Sequence, residues 1–154
     1  MIIKNIDKNN YLIKIFNKFI DIYDKDEIEE LVRKVFSKIM KKEKIHGDAI
    51  VNIYVNDNYG IIIKIEVDNN CYYSDELDLK IIMHLNNNFL FEIDYFNLKE
   101  LNIKNQNIYY YNDKFYLEIV NPIDNKDLLK LSDFIFFKMD DTINIINKGI
   151  KIKD

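Results

Sequence analysis

From residue 49 onward, apolar side chains recur at every second position, and this alternation constrains the fold more than any other feature of the chain. Apolar residues occupy the odd positions of segments 49–55 and 61–67, and the turn-forming stretch 56–60 separates the two segments. Successive side chains of a strand point to opposite faces, so this pattern predicts two strands with one buried face each. A short polar turn between them predicts a β-hairpin.

The same alternation predicts two further hairpins. One would join residues 77–85 to residues 89–93 across three asparagines, and the other would join residues 108–111 to residues 115–119 across Asn112-Asp113. Alternation around Tyr11 to Phe16 indicates that residues 1–23 are also extended, and the polar residues 97–106 predict either a short helix or a connection.

One long amphipathic helix interrupts this pattern near the N-terminus. Asp24 and Glu27 have the spacing of a capping box, and Tyr23 and Ile28 occupy the positions of a hydrophobic staple. Apolar residues then follow the spacing of one helical face at positions 28, 31, 32, 35, 36, 39 and 40. Acidic residues in the first turns and lysines in the last turn interact favourably with the helix dipole, and Gly47 lies just beyond the expected end of the helix.

Two shorter helices are predicted near the C-terminus. Asp124 would cap the first, and the second would begin near Asp140-Asp141 and end at Gly149, followed by a last strand. The predicted fold class is α+β, with a largely antiparallel sheet of hairpins, the long helix near the N-terminus and short helices near the C-terminus. We expect a single compact domain over residues 1–154, with two small halves, 1–70 and 77–154, as the alternative division.

Charge and cysteine content exclude several classes of protein. The net charge is −4, and Arg33 is the single arginine, whereas nucleic-acid binding and anionic membranes favour clustered cations. Cys71 is the only cysteine, so the chain contains no internal disulfide. No apolar run approaches the ~20 residues of a membrane-spanning helix, and the N-terminus lacks a continuous apolar signal core. We therefore expect a cytoplasmic protein that binds neither nucleic acid nor membrane.

Few residues suggest catalysis, and the sequence predicts no catalytic residue, no bound metal and no cofactor. Only three glycines are present, and they form no glycine-rich loop that could bind phosphate. His46 follows the long helix, where a helix-capping role is favoured. The alternative is a metal-dependent enzyme whose ligands would be the acidic residues 75, 76 and 78 together with His84.

Aromatic residues are abundant, with 11 tyrosines and 10 phenylalanines. A strand that carries three consecutive tyrosines at 109–111 must present aromatic rings on both of its faces, so one face is available for binding. Because tyrosine is favoured at protein interfaces, we expect a protein-binding surface there, formed by Tyr109, Tyr111, Tyr116 and Phe137. The alternative is an aromatic-rich core.

Two regions of the chain carry a resemblance to a known family. The first contains IKNIDKNNYLIKIF, DEIEELVRKVFSKIMKKEKI and GDAIVNIYVNDNYGIIIKIEV, and the second contains FLFEIDYFNLKEL, NIYYYNDKFYLEIV and DLLKLSDFIFFKMDDTINIINKGIKI. Their order resembles the two domains of the MecA-type adaptor proteins of Clp unfoldases, although this chain lacks the long acidic linker of those adaptors. The resemblance implies a protein partner, a Clp-type AAA+ unfoldase.

These patterns favour a protein–protein interaction module, an adaptor or a regulator, that acts without covalent chemistry. A homodimeric, chaperone-like protein that binds a polypeptide is the first alternative, because such proteins are also acidic, α+β and of this size. The metal-dependent enzyme described above is the second alternative.

Overall fold

The computed structural model describes residues 1–42, 45, 47–68, 77–84, 88–101, 105–134, 136–138 and 142–152, with the backbone alone at 77, 133, 134 and 136–138. Within these ranges the strands are β1 (Ile2–Asp7), β2 (Asn10–Phe16), β3 (Gly47–Asn56), β4 (Gly60–Asp68), β5 (Leu77–His84), β6 (Leu90–Ile93), β7 (Asn107–Tyr111), β8 (Lys114–Glu118), β9 (Phe136–Lys138) and β10 (Ile150–Ile152). The helices are α1 (Lys25–Met40), α2 (Tyr95–Glu100), α3 (Asn125–Phe134) and α4 (Thr142–Lys148).

This architecture confirms the predicted α+β class. The long helix lies near the N-terminus, two shorter helices lie near the C-terminus, and most strand pairs are antiparallel. Of the polar segment 97–106, residues 97–100 belong to the short helix α2, and residues 102–104 lie outside the described ranges. The chain divides into two units: residues 1–55 with 60–85, and residues 56–59 with 86–154. Each unit contains one five-stranded sheet.

In the first unit, α1 supplies the apolar layer that covers one face of the sheet. The strands follow the order β1-β2-β4-β3-β5. The inward residues of β2, β3 and β4 are those that the period of two predicts, and they form one core with the apolar face of α1. Members of this core that are fully or almost fully buried include Ile13, Val35, Val51, Ile53, Ile61 and Ile63.

The start of α1 shows which parts of its predicted cap form. The Asp24 side chain accepts hydrogen bonds from the backbone N–H groups of Asp26 and Glu27, as an N-cap residue should. Glu27 instead accepts a hydrogen bond from the Asp21 N–H, at 3.3 Å. The predicted hydrophobic staple is wrong, because Tyr23 is 84% exposed. The N-cap alone therefore marks the helix boundary.

The predicted hairpin between residues 77–85 and 89–93 is wrong. Strand β5 pairs in parallel with β3, so that Ala49 lies opposite Leu79 and Val51 lies opposite Ile81. Strand β6 pairs with β8 and β9 in the sheet of the second unit. A parallel pair requires a long connection rather than a tight turn. The apolar face of β5 packs beside the apolar face of β3. This pairing joins segments that are distant in the chain, so local sequence patterns could not predict it.

The second unit contains a sheet of order β10-β7-β8-β6-β9. Helix α4 packs on this sheet, where Ile145 joins Leu90, Tyr109 and Tyr116 in a buried cluster. The residues of the turn between β3 and β4 also belong to this unit, and the Tyr59 ring contacts Phe89 and Phe91 at centroid distances of 5.4 and 5.3 Å. Burial raises the pKa of the Tyr59 phenol.

Among the helices in the described ranges, none combines the length and the apolar character that crossing a bilayer requires.

Candidate protein-binding surface

Three of the four residues predicted to bind protein lie on one face of the second sheet. Tyr109 lies directly opposite Tyr116 across β7 and β8, and Tyr111 lies opposite Lys114. The exposed fractions are only 6% for Tyr109 and 4% for Tyr116, because both rings pack against Leu90 and Ile145. Tyr111 is half-buried beside this cluster. Little ring area of Tyr109 or Tyr116 is therefore available to a partner.

A buried polar network also holds Tyr109 in place. The Asn107 side-chain amide donates a hydrogen bond of 2.7 Å to a carboxylate oxygen of Glu118, which is 4% exposed. Burial raises the pKa of Tyr109, and the charge and hydrogen bond of Glu118 raise it further. Buried polar groups are stable when they are hydrogen-bonded to one another. This network fixes the tyrosine as part of the interior.

Phe137 belongs to β9, where its backbone lies opposite Phe91. Its side chain is outside the described part of the structure, so the predicted binding role of Phe137 stays a prediction.

The opposite face of the same strands carries an exposed row of rings and one aliphatic side chain. Ile150 lies opposite Tyr110, and Tyr110 lies opposite Phe115, with ring centroids 5.1 Å apart. The Tyr95 ring adds to this row, 6.1 Å from the ring of Phe115. Ile150 is 68% exposed and Tyr95 is 53% exposed, and the two middle rings are half-buried. We name these four residues, Ile150, Tyr110, Phe115 and Tyr95, the aromatic row.

Local contacts hold the rings of the aromatic row. The Tyr110 hydroxyl donates a hydrogen bond of 3.1 Å to Asp113, and this bond and the carboxylate charge raise the pKa of Tyr110. The ammonium group of Lys99 lies 4.5 Å from the Tyr95 ring centroid, a cation–π contact. The Tyr110 and Tyr95 rings are thus each held by a polar or charged neighbour.

The aromatic row ends at the open edge of the sheet. Strand β10 pairs with β7 on one side, and no described strand pairs with its other side. All three of its residues are exposed. An unpaired edge offers backbone N–H and C=O groups to an added strand.

The four predicted binding residues lie on strands of the second sheet, and their binding role stays a prediction. Alternation requires that Tyr110 face away from Tyr109 and Tyr111, and the cluster with α4 buries Tyr109, whereas Tyr110 and Tyr111 are both half-buried. The two-residue turn Asn112-Asp113 also implies that Tyr110 lies opposite Phe115. That register was readable from the sequence, but the position of α4 was not.

The two described residues of the alternative metal site, Asp78 and His84, do not converge on one point. Asp78 and His84 share one face of β5, but they lie six positions apart along the strand, a distance of roughly 20 Å. His84 instead stacks on Tyr54 and lies 2.8 Å from the Asn52 amide oxygen. Within the described residues, no group of three His, Cys, Asp or Glu side chains could hold a metal. The remaining residues of that hypothesis, 75 and 76, lie outside the described residues, as do His46 and Cys71.

The first unit has a separate open groove, with a volume of about 740 Å³, between α1 and β5. Its apolar lining includes Phe36, Met40, Leu79 and Ile81. The exposed fraction is 41% for both Met40 and Leu79. The groove thus lies beside another strand at the edge of a sheet.

Comparisons with known proteins identify no family for this chain. The chain matches no protein-family model, no curated protein and no solved structure.

Proposed function

We propose that this chain is a protein–protein interaction module that acts without covalent chemistry, and that the aromatic row is its binding surface. The observation that carries the proposal is the aromatic row beside the β10 edge, with Ile150 and Tyr95 exposed at its ends and Tyr110 and Phe115 half-buried between them. Aromatic side chains contribute large contact areas, and they dominate binding energy at protein interfaces.

Preorganisation supports this choice of surface. Binding is weakened when mobile side chains must be immobilised, by about 0.5–1.5 kcal/mol for each rotamer-rich side chain. The hydrogen bond from Tyr110 to Asp113 and the contact of Lys99 with Tyr95 already restrict these rings before a partner arrives. The aromatic row would therefore offer its area at a small entropic cost.

The edge strand indicates the chemistry of the partner. An extended segment can add to β10, with its alternate side chains directed to the two faces of the sheet. Ile150 and Ile152 face the side of the aromatic row, and Lys151 faces the other side. An acidic residue opposite Lys151 would form a favourable cross-strand pair. The expected ligand is an extended segment with the order apolar, acidic, apolar.

The test selects ligands from a displayed library of 12-residue peptides and then measures their affinity by fluorescence anisotropy. We expect peptides with the apolar–acidic–apolar order, and about tenfold weaker binding to Tyr110→Ser than to the unaltered chain. Tyr111→Ser is the matched control, because it removes the next tyrosine from the opposite face, and it should leave affinity nearly unchanged. Failure to enrich peptides, or equal binding by Tyr110→Ser, would overturn the proposal.

The adaptor or regulator form of this function adds a second partner, a Clp-type AAA+ unfoldase, and its support is the resemblance of the sequence patterns alone. Its test is sedimentation of the purified chain with a purified unfoldase of that type in the presence of ATP. Co-sedimentation that Tyr111→Ser preserves would support the adaptor form. Independent sedimentation would remove the adaptor form and leave the peptide-binding proposal to its own experiment.

A further inference from the structure

The edge strand β5 of the first sheet carries two exposed side chains of opposite charge, Asp78 and Lys80. Strand β5 pairs with β3 on one side, and among the described residues no strand pairs with its other side. Its residues Asp78, Leu79 and Lys80 are exposed. In the described structure, neither Asp78 nor Lys80 forms a salt bridge. A long open edge of this kind readily pairs with another strand.

Asp78 already has an unfavourable neighbour within its own sheet. The pairing of β3 with β5 places Asp48 directly opposite Asp78, and Ile50 directly opposite Lys80. Like charges in such cross-strand positions repel one another. A cation on the open side of Asp78 would relieve this repulsion, and Lys80 of the same strand lies two residues away, opposite an isoleucine.

A second copy of β5 would supply that cation. When a twofold axis relates two antiparallel copies of one strand, the numbers of facing residues always add to twice the number of the residue at the axis. Facing residues also lie on the same face of the sheet. An axis at Leu79 places Leu79 opposite Leu79 of the partner subunit. It also places Asp78 opposite Lys80 of the partner subunit, and this favourable pair occurs twice.

The neighbouring registers lack this complementarity. An axis at Lys80 would place two lysines opposite each other, and an axis at Ile81 would place Lys80 opposite Ile82 of the partner subunit. The register centred on Leu79 alone among these pairs each Asp78 with a lysine. Electrostatic complementarity of this kind sets the register of an interface and disfavours the alternatives.

Burial of apolar surface favours the same arrangement. The twofold axis is perpendicular to the sheet, so both copies of α1 lie on the same side of the joined sheet. The groove between α1 and β5, with Met40 and Leu79 each 41% exposed, then faces the equivalent groove of the partner. We propose that the β5 edge is a homodimer interface, in which two five-stranded sheets join antiparallel about Leu79.

The first experiment measures sedimentation velocity from low micromolar to high micromolar concentrations. We expect the unaltered chain to dimerise, and we expect Asp78→Lys and Lys80→Asp each to weaken dimerisation by at least about tenfold, because each places like charges opposite each other. An equimolar mixture of the two variants should dimerise again, since every facing pair is then of opposite charge. The double variant D78K/K80D should also dimerise as a homodimer.

The rescue by mixing distinguishes this register from other modes of association. The substituted positions are exposed, so each variant should keep the far-ultraviolet circular dichroism of the unaltered chain. A monomeric unaltered chain at every concentration would overturn the proposal. A dimer that tolerates both single charge reversals, or a mixture that stays monomeric, would overturn it equally.

A second measurement tests the twofold axis directly. With Cys71→Ser removing the native thiol, Leu79→Cys places one cysteine of each copy at the axis. Facing cysteines in this position approach the Cβ separation of a disulfide. Mild oxidation should give a covalent dimer from this variant, and Ile50→Cys in the same background should remain monomeric, because β3 is not at the edge. Equal crosslinking of the two variants would contradict the assigned register.

Discussion

The rings of Tyr54 and His84 stack face to face, with centroids 4.1 Å apart and an interplanar angle of 13°. The two residues lie opposite each other in the parallel pair of β3 and β5, at the end of β5. The imidazole Nε2 also lies 2.8 Å from the Asn52 amide oxygen. His84, which sequence reasoning considered as a metal ligand, therefore secures the last residue of the edge strand to its neighbour.

We expect this contact to make the stability of the first sheet depend on pH. Burial lowers the pKa of His84 below its ordinary value of 6.5, so the unfolded chain binds this proton at a higher pH than the folded chain does. Stability should therefore fall as pH falls below 6.5, until the lowered folded pKa is passed. Thermal midpoints across this range measure the effect. His84→Phe retains a stacked ring without titration, and its midpoint should fall less over the same interval.

Substitution of the two facing tyrosines of the second sheet should unfold the chain rather than remove a binding surface. Tyr109→Ala and Tyr116→Ala each delete a buried ring, and the loss of such a ring lowers the free energy of unfolding by about 3–5 kcal/mol. Tyr110→Ala removes a half-buried ring, and about 1 kcal/mol is expected. Urea denaturation measures all three. Equal losses for Tyr109→Ala and Tyr110→Ala would contradict the assignment of faces.

The first residue of β4 should not tolerate a side chain. Gly60 has a φ of +125°, and a Cβ atom there would collide with the Ile15 carbonyl oxygen and lie 2.9 Å from the Asn17 nitrogen. Gly60→Ala should lower the free energy of unfolding by about 2 kcal/mol or more. Asp57→Ala, an exposed change in the same turn, is the control and should change stability little. Denaturant titrations of both variants provide the comparison.

Gln106 should stabilise the segment that follows β8. Its amide oxygen accepts hydrogen bonds from the Val120 and Asn121 N–H groups at 2.7 and 3.0 Å, and its amide nitrogen donates to the Asn121 carbonyl at 2.7 Å. Gln106→Ala should lower the free energy of unfolding by about 1–3 kcal/mol. Gln106→Met keeps most of the side-chain volume but none of these hydrogen bonds. A similar loss of unfolding free energy in Gln106→Met and Gln106→Ala would therefore assign the effect to hydrogen bonding. A neutral Gln106→Met would contradict this interpretation.

The parts of the fold that sequence reasoning predicted correctly depend on near neighbours in the chain. Spacing of apolar residues and the Asp24 cap define α1, and the alternation on either side of Asn112-Asp113 defines β7 and β8. Hydrogen bonds within a helix or across a two-residue turn join residues that are close in sequence. Such elements can therefore be derived without knowledge of the rest of the molecule.

The candidate surface required non-local information. Three consecutive tyrosines guarantee rings on both faces of β7, but only the packing of Ile145 from α4 shows that Tyr109 is buried, whereas Tyr110 and Tyr111 are both half-buried. Identical side chains hide this difference in the sequence, because burial depends on which other elements cover each position along the strand. The sequence therefore predicts an aromatic-rich sheet, but it does not identify which of the rings are exposed.

The sequence by itself determined the α+β class, the helix α1 and the positions of most strands, because local periodicity and turn chemistry encode them. Only the tertiary structure decided that β5 pairs in parallel with β3, with Asp78 opposite Asp48, and does not form the expected hairpin. Strand pairing depends on contacts between residues distant in the chain. Alternation shows that a strand has a buried face, but it does not name the strand that lies beside it.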